Sequence, residues 1–189
     1  MSGIDIRPAA AGDAASIAQV RVDSWRTTYR GLIPDSYLDA MQVDASTAMW
    51  ERVLTAEGST ASVFVATHDG EVIGFAAANG LKEPRHGADA EITAVYLRRE
   101  YQRVGIGTRL LAAVVDAQRR HGATAMIVWV IAGNKAARRF YEGLGGELVV
   151  EQPFQWDGMD LVEAGYVFRD LPALAAATSA TAAAPSTLQ

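Results

Sequence analysis

The chain reads as a single-domain α/β protein built on a mixed sheet flanked by helices on both faces. Three observations support this. Helical spacing opens the chain, where Ala14, Ile17, Ala18, Arg21, Val22 and Trp25 recur every three or four residues. Two strand-like runs then flank Asp69-Gly70, a hairpin signature. Beyond them strand and helix patterns alternate, from "AEITAVYL" onward, as in a layered α/β domain.

The elements follow in order. Ile4 and Ile6 alternate with polar neighbours up to Pro8, which makes a short first strand. Asp13 is an N-cap candidate for the first helix. "GLIP" at Gly31–Pro34 breaks that helix. Asp35 and Asp44 are positioned to cap two shorter helices, one carrying Tyr37, Leu38 and Met41, the other Met49, Trp50, Val53 and Leu54. The Asp69-Gly70 hairpin comes next, then a loop over Lys82–Gly87 and a strand over Ala90–Leu97. A helix runs from the Gly105 region to about His121, with Gly122 suited to its C-terminal cap. "TAMIVWVI" is almost wholly apolar, as in a strand buried on both faces. Asn134 is a cap candidate for a helix reaching about Gly143, and two strands close the fold.

The sequence predicts one domain over residues 1–171. From Pro172 the chain is almost only Ala, Thr, Ser and Pro, too poor in large apolar groups to offset ordering entropy. A disordered tail over 172–189 is expected, with a frayed helix over 173–177 as the alternative.

Composition excludes several functions. Half of the 189 residues are hydrophobic, enough for a core, and the net charge is -5. An acidic balance argues against nucleic acid as a partner, which usually needs a basic face. There is no cysteine, hence no disulfide, thiolate metal site or cysteine nucleophile. His68, His86 and His121 lack ligand-like spacing, so no metal is expected. No apolar run of about 18 residues suggests a membrane span, and no basic-then-apolar start suggests a secretory signal. A soluble, cytoplasmic protein is the default reading.

The chemistry concentrates in "LRREYQRVGIGTRLL". Gly105 and Gly107 permit close backbone approach and positive φ. The helix start behind them offers unpaired N–H groups and a partial positive charge, and phosphates bind at such places. The GxxxxGK[ST] loop of nucleotide hydrolases is absent, and the third glycine of the dinucleotide fingerprint is missing. An ordinary strand-to-helix turn with surface arginines accounts for two glycines equally well.

The surroundings decide. Gln102-Arg103-Val104-Gly105-Ile106-Gly107 resembles the Q/R-x-x-G-x-G/A motif of the GNAT superfamily of N-acetyltransferases. Downstream, "GNKAARRFYEGLGGE" resembles that family's second motif, with Asn134 at a helix start and Tyr141 near its end. The hairpin ending in "VIGFAAA" and the N-terminal "WRTTYRGLIPDSYLD" are similar as well, so the likeness covers roughly Ile4 to Leu171. Gly145-Gly146 departs from the Gly-Phe of many members, which removes an aromatic packing contact.

The resemblance implies acetyl transfer from acetyl-coenzyme A to a primary amine by direct attack, on a sheet whose central strand pair splays. It places the pyrophosphate on the turn formed by Gln102, Arg103, Val104, Gly105, Ile106, Gly107 and Thr108. It lays the pantetheine arm along Val95, Tyr96 and Leu97, with Asn134 and Tyr141 beside it. A backbone N–H near Val95 would polarise the thioester carbonyl. Glu91 matches the general-base glutamate of the histone-acetylating branch, although many members deprotonate through water. On a regular strand Glu91, Thr93, Val95 and Leu97 would share a face. Tyr141 matches the family's acid, with packing beside Phe140 as the bland reading. Trp25 and Tyr29 are expected on one acceptor wall, and Phe154 and Trp156 on another, with Asp157 or Asp160 attracting a cation. Those aromatics could equally close the core edge. The acceptor is a small-molecule amine or a protein or peptide amine. Homodimers are common among the proteins it resembles. Use of another acyl-coenzyme A, a non-catalytic acyl-coenzyme A-binding module and a nucleotide-binding domain are the rival readings.

Overall fold

The computed structural model describes residues 3–176. Among them seven strands form one sheet: β1 (Asp5–Pro8), β2 (Ser62–His68), β3 (Glu71–Arg85), β4 (Ala88–Leu97), β5 (Met126–Ile131), β6 (Glu147–Trp156) and β7 (Met159–Phe168). Their order is β1-β2-β3-β4-β5-β7-β6. Neighbours run antiparallel except β4 and β5, which are parallel. The helices are α1 (Ala14–Thr28), α2 (Asp35–Ala40), α3 (Val43–Thr55), α4 (Ile106–Arg120) and α5 (Lys135–Gly143).

Both faces of the sheet are covered. Ile17, Ala18 and Val20 of α1 and Trp50 of α3 pack on Val65, Val72, Phe75 and Ala94. On the opposite face Ile106, Leu110, Leu111, Val114 and Val115 of α4 pack on Ile73, Ala76, Ala90, Ile92 and Leu97, joined by Tyr141 of α5. Burying a side chain of this kind stabilises by about 1.5–3 kcal/mol each.

Local signals set the boundaries. Asp69 (φ +50°) and Gly70 (φ +83°) both take left-handed backbone, as the β2–β3 hairpin requires. Gly122 (φ +94°) follows α4, and the Asn134 Oδ1 accepts the Ala137 N–H at 3.1 Å at the start of α5. Asp13 precedes α1, but its carboxylate binds the Arg7 guanidinium (2.7 Å) and the Ala10 N–H (2.8 Å) rather than the helix. Helix α3 starts at Val43, a residue before the expected cap Asp44, and α2 starts at Asp35 itself.

The C-terminal stretch departs from expectation in part. Residues 171–176 are helical, and Leu171 and Leu174 are buried against the α4-side core. The Asp170 carboxylate accepts the Ala173 N–H at 2.8 Å and so starts that turn. Two leucines supply the apolar anchor that the small-residue composition concealed. Residues 177–189, the rest of the expected tail, lie outside the described residues.

Strand β4 contains the deviation that matters most. Ala94 pairs with Ala77 and Ile92 with Ala78, so Thr93 is an extra residue, a bulge. The bulge reverses the alternation: Ala90 and Ile92 before it and Leu97 after it lie on the α4 face, and Ala94 on the α1 face. Glu91 therefore does not share a face with Val95 and Leu97, as a regular strand would have required.

Candidate active site

The geometry of the glycine turn suits an anion. Arg103 (φ +65°) and Gly105 (φ +84°) alternate left-handed with their neighbours, a pattern that gathers backbone N–H groups into a concavity. The first α4 bond runs from the Arg109 N–H to the Gly105 carbonyl (3.1 Å), so the N–H groups of Ile106, Gly107 and Thr108 precede it without intrahelical acceptors. The Gln102 side chain donates to the Leu97 carbonyl at 3.0 Å and pins the loop to the end of β4. At Gly107 an added Cβ would meet its nearest atom, the Phe140 Cζ, only at 4.0 Å.

The sheet opens next to this turn. β4 and β5 pair only at Ala90–Met126, Glu91–Ile127 and Ile92–Val128. From Thr93 to Leu97 β4 has no partner on that side, while β5 continues to Ile131 paired with β7. Backbone groups facing the gap are left for a ligand or water.

A cavity of about 500 Å³ fills the gap. Val95, Tyr96, Leu97, Gln102, Arg103, Gly105, Gly107, Thr108, Asn134, Tyr141 and Tyr29 all line it, so the structure brings these sequence-selected residues together. Val104 is exposed on the turn, and Ile106 is buried in the core beneath it. Tyr141 is 6 % exposed, and its phenol is pushed well above its ordinary pKa by burial and then by Tyr96. Tyr29 is raised in the same way, by burial first and Tyr96 next. Thr28, Trp129 and Phe140 line the cavity too and were not singled out from sequence.

Glu91 lies outside the cavity lining. Its β5 partner Ile127 belongs to a small cluster with Ala88, Ala125, Val167, Leu81, Trp129 and Val149, none of them helical. Among the described residues no helix contributes to that cluster, whose Ala88, Ile127 and Val167 are buried by strand and loop residues alone. Burial raises the Glu91 carboxyl pKa; Arg85 opposes the rise and Glu163 adds to it. The Gln152 side chain donates to Glu163 at 2.9 Å. Trp129 lies on Gly165, where a Cβ would stand 2.8 Å from the indole and 3.0 Å from Val150. Gly165→Ala is expected to displace Trp129 and cost about 1–3 kcal/mol, read by urea denaturation.

The expected acceptor walls are arranged differently. Trp25 packs on Tyr29 (4.9 Å) and Trp156 (5.7 Å), and the Trp156 indole N–H donates to the Tyr37 hydroxyl at 2.9 Å. These contacts tie the β6–β7 tip to α2. Trp25, Phe154 and Trp156 lie outside the cavity lining. Among the described residues no group of three or more His, Asp and Glu could hold a metal, and no helix is long and apolar enough to cross a membrane.

Fold and site together mark an acyltransferase. Residues 20–145 match the acetyltransferase (GNAT) family, and the chain belongs to it. It is 38% identical over 172 residues, 90% of this chain and 96% of the other, to the uncharacterised N-acetyltransferase YuaI of Bacillus subtilis. The PaiA N-acetyltransferase of Thermoplasma acidophilum, solved in complex with coenzyme A, shares the fold at TM-score 0.67 and 22% identity, covering 86% of this chain and 98% of that one. YncA of Salmonella typhimurium, a putative acetyltransferase solved with its cofactor acetyl-CoA, does so at TM-score 0.66 and 24% identity, covering 89% and 94%.

Proposed function

We propose that the protein transfers the acetyl group of acetyl-coenzyme A to a primary amine by direct attack. The observation that carries this is the continuity of the site. The left-handed glycine turn, the unpaired edge of β4 and the Tyr141 phenol all border one cavity.

The donor set fits the cosubstrate. Helix-start N–H groups and the Arg103 backbone suit a pyrophosphate, and Arg103 adds charge. The free β4 edge suits the amides of pantetheine, which pair with it as an added strand would. Bound acetyl-coenzyme A supplies the activated acetyl group. The Val95 N–H is assigned to the thioester oxygen; one such donor is typically worth about 3–4 kcal/mol of barrier.

Glu91 takes the proton of the incoming ammonium. Its raised pKa suits a base, and we place the acceptor on its face of the sheet, opposite α4. Tyr141 stands on the thiol side. A phenol with so high a pKa does not surrender its proton outright to a thiolate of pKa near 8.5; it stabilises the sulfur by hydrogen bonding as charge develops.

The deciding experiment is an amine panel with mass detection of a product heavier by one acetyl group. An acetylated product with matching thiol release supports the reading. Coenzyme A binding without thiol release from any amine would make the protein a binding module instead. With the true acceptor, Tyr141→Phe is expected to lower kcat by about 10²-fold and leave coenzyme A affinity within about threefold. Undiminished kcat would reduce Tyr141 to packing.

A further inference from the structure

Among the described residues, no carboxylate and no histidine lines the cavity. An ammonium entering it needs oxygen acceptors, since it carries donors only. The lining's Tyr29 and Tyr141 are buried, and the Asn134 Oδ1 is taken by the Ala137 N–H. Of the lining threonines, Thr108 is buried, while Thr28 at the end of α1 and Thr93 on β4 are exposed.

Thr93 stands at the fork of the sheet. Ile92 and Val128 form the last pair between β4 and β5, so Thr93 is the first residue of the open segment. It is also the bulge residue, extra between the Ile92–Ala78 and Ala94–Ala77 pairs. Bulges beside active sites re-aim a side chain. Among the described residues β4 has a single exposed one, and it is Thr93, although strands flank β4 on both sides. Its hydroxyl makes no hydrogen bond within the described residues. The Thr27, Thr47 and Thr55 hydroxyls, by contrast, donate to backbone carbonyls, and that of Thr124 donates to Asp89. A strand is served by any β-branched residue, so the packing does not ask for this hydroxyl.

Spacing along β4 gives the hydroxyl a task. Thr93 lies two residues after Glu91 and two before Val95, about 7 Å along the strand from each. The proposed base and the proposed donor to the thioester oxygen therefore bracket it. The attacking nitrogen has to come within about 3–3.5 Å of the thioester carbon while its proton leaves toward Glu91. Arg85 of β3 and Glu163 of β7, the charged groups acting on Glu91, both stay outside the cavity lining.

We infer that Thr93 is a catalytic residue of the acceptor site, its hydroxyl oxygen accepting a hydrogen bond from the acceptor's ammonium and holding the nitrogen between the thioester and Glu91. This rests on the acetyl-transfer reading and adds a contact to it. One N–H of the ammonium donates to Thr93. Another gives its proton toward Glu91, and the electron pair stays on nitrogen for the attack.

Three variants test this. Thr93→Val keeps the shape and the branching and removes the hydroxyl; Thr93→Ser keeps the hydroxyl and removes the methyl. Thr93→Ala removes both and stands in if the valine variant misfolds. The probe is the amine of the panel that wild type acetylates with the highest kcat/KM. Thr93→Val should lower kcat/KM for it by about 10- to 100-fold, the worth of a hydrogen bond to a charged group. Thr93→Ser should stay within about threefold of wild type, a difference too small for a lost charged bond. Calorimetry should give all three an affinity for acetyl-coenzyme A within about threefold of wild type. Wild-type kcat/KM in Thr93→Val overturns the inference. An equal loss in the valine and serine variants also overturns it, by reducing Thr93 to packing. A matching loss of acetyl-coenzyme A affinity in the valine and alanine variants does so too, by assigning Thr93 to the cosubstrate. If wild type acetylates no amine, the acetyl-transfer reading falls and takes this inference with it. An active wild type with an equally active Thr93→Val overturns the inference alone.

Discussion

Gly107→Asp should abolish useful coenzyme A binding while leaving the fold intact. The backbone at Gly107 is helical, and the nearest atom to an added Cβ is the Phe140 Cζ at 4.0 Å, so an aspartate fits without strain. A carboxylate in the first turn of α4 also complements the helix dipole, by about 0.3–1 kcal/mol. The variant should therefore melt no earlier than wild type. The same carboxylate occupies the place proposed for the pyrophosphate. Like charges forced together at a binding interface cost several kcal/mol, so affinity should fall by about 10²-fold or more. Calorimetry with coenzyme A and with pantetheine locates the effect, because pantetheine carries no phosphate. A loss confined to coenzyme A assigns the turn to the pyrophosphate. An equal loss of both would point to a collapsed cavity, and no loss of either would remove the site. Gly107→Ala serves as the control, with affinity close to wild type.

That turn was legible because every cause of it is local. The glycine positions, the strand before them and the helix after them lie within a short stretch, and backbone geometry does the rest. The same holds for Asn134, whose cap forms with a residue three positions on, and for the Asp69-Gly70 hairpin. The parts that stayed hidden depend on distant partners. The bulge at Thr93 arises from how β4 registers against Ala77 and Ala78 of β3, and no residue of β4 alone announces it. Without it Glu91 would face α4. The insertion of β7 between β5 and β6 is likewise a choice among similar strands that only packing makes. Trp156 reads from sequence equally as a pocket residue or as an aromatic closing the core edge. Its indole N–H finds Tyr37, far away in the chain, and the ring becomes a tie between the β6–β7 tip and α2. Leu174 sits in a stretch whose composition says tail, yet it fills the core beside Leu171. The convergence of Tyr29, Tyr96 and Tyr141 on one cavity belongs to the same class, since it depends on how three separate elements pack around the opened sheet.

Glu91→Gln should slow the enzyme and stabilise it at once. Burial is the largest cause of the raised Glu91 pKa, with Glu163 adding to it and Arg85 opposing it. A carboxyl whose folded pKa lies above its unfolded value makes the folded state favour the protonated form. Its charge therefore subtracts from stability, fully above the folded pKa and not at all below the unfolded value of about 4.3. Glutamine removes that penalty and keeps the shape. The variant should be more stable than wild type at neutral pH, and the difference should vanish as pH falls through the glutamate range. Urea titrations at two pH values read this directly. Catalysis should move the other way. With no carboxylate to take the ammonium proton, kcat/KM at neutral pH should fall by about 10²-fold. The acid limb set by Glu91 should disappear from the pH profile. The residual rate should climb toward alkaline pH, as an amine with a pKa near 10.4 sheds its own proton. An unchanged kcat/KM at neutral pH would give proton removal to water. Loss of activity without the stability gain would mean that Glu91 is held by a compensating cation when the acceptor is absent, and Arg85 is the residue placed to do so.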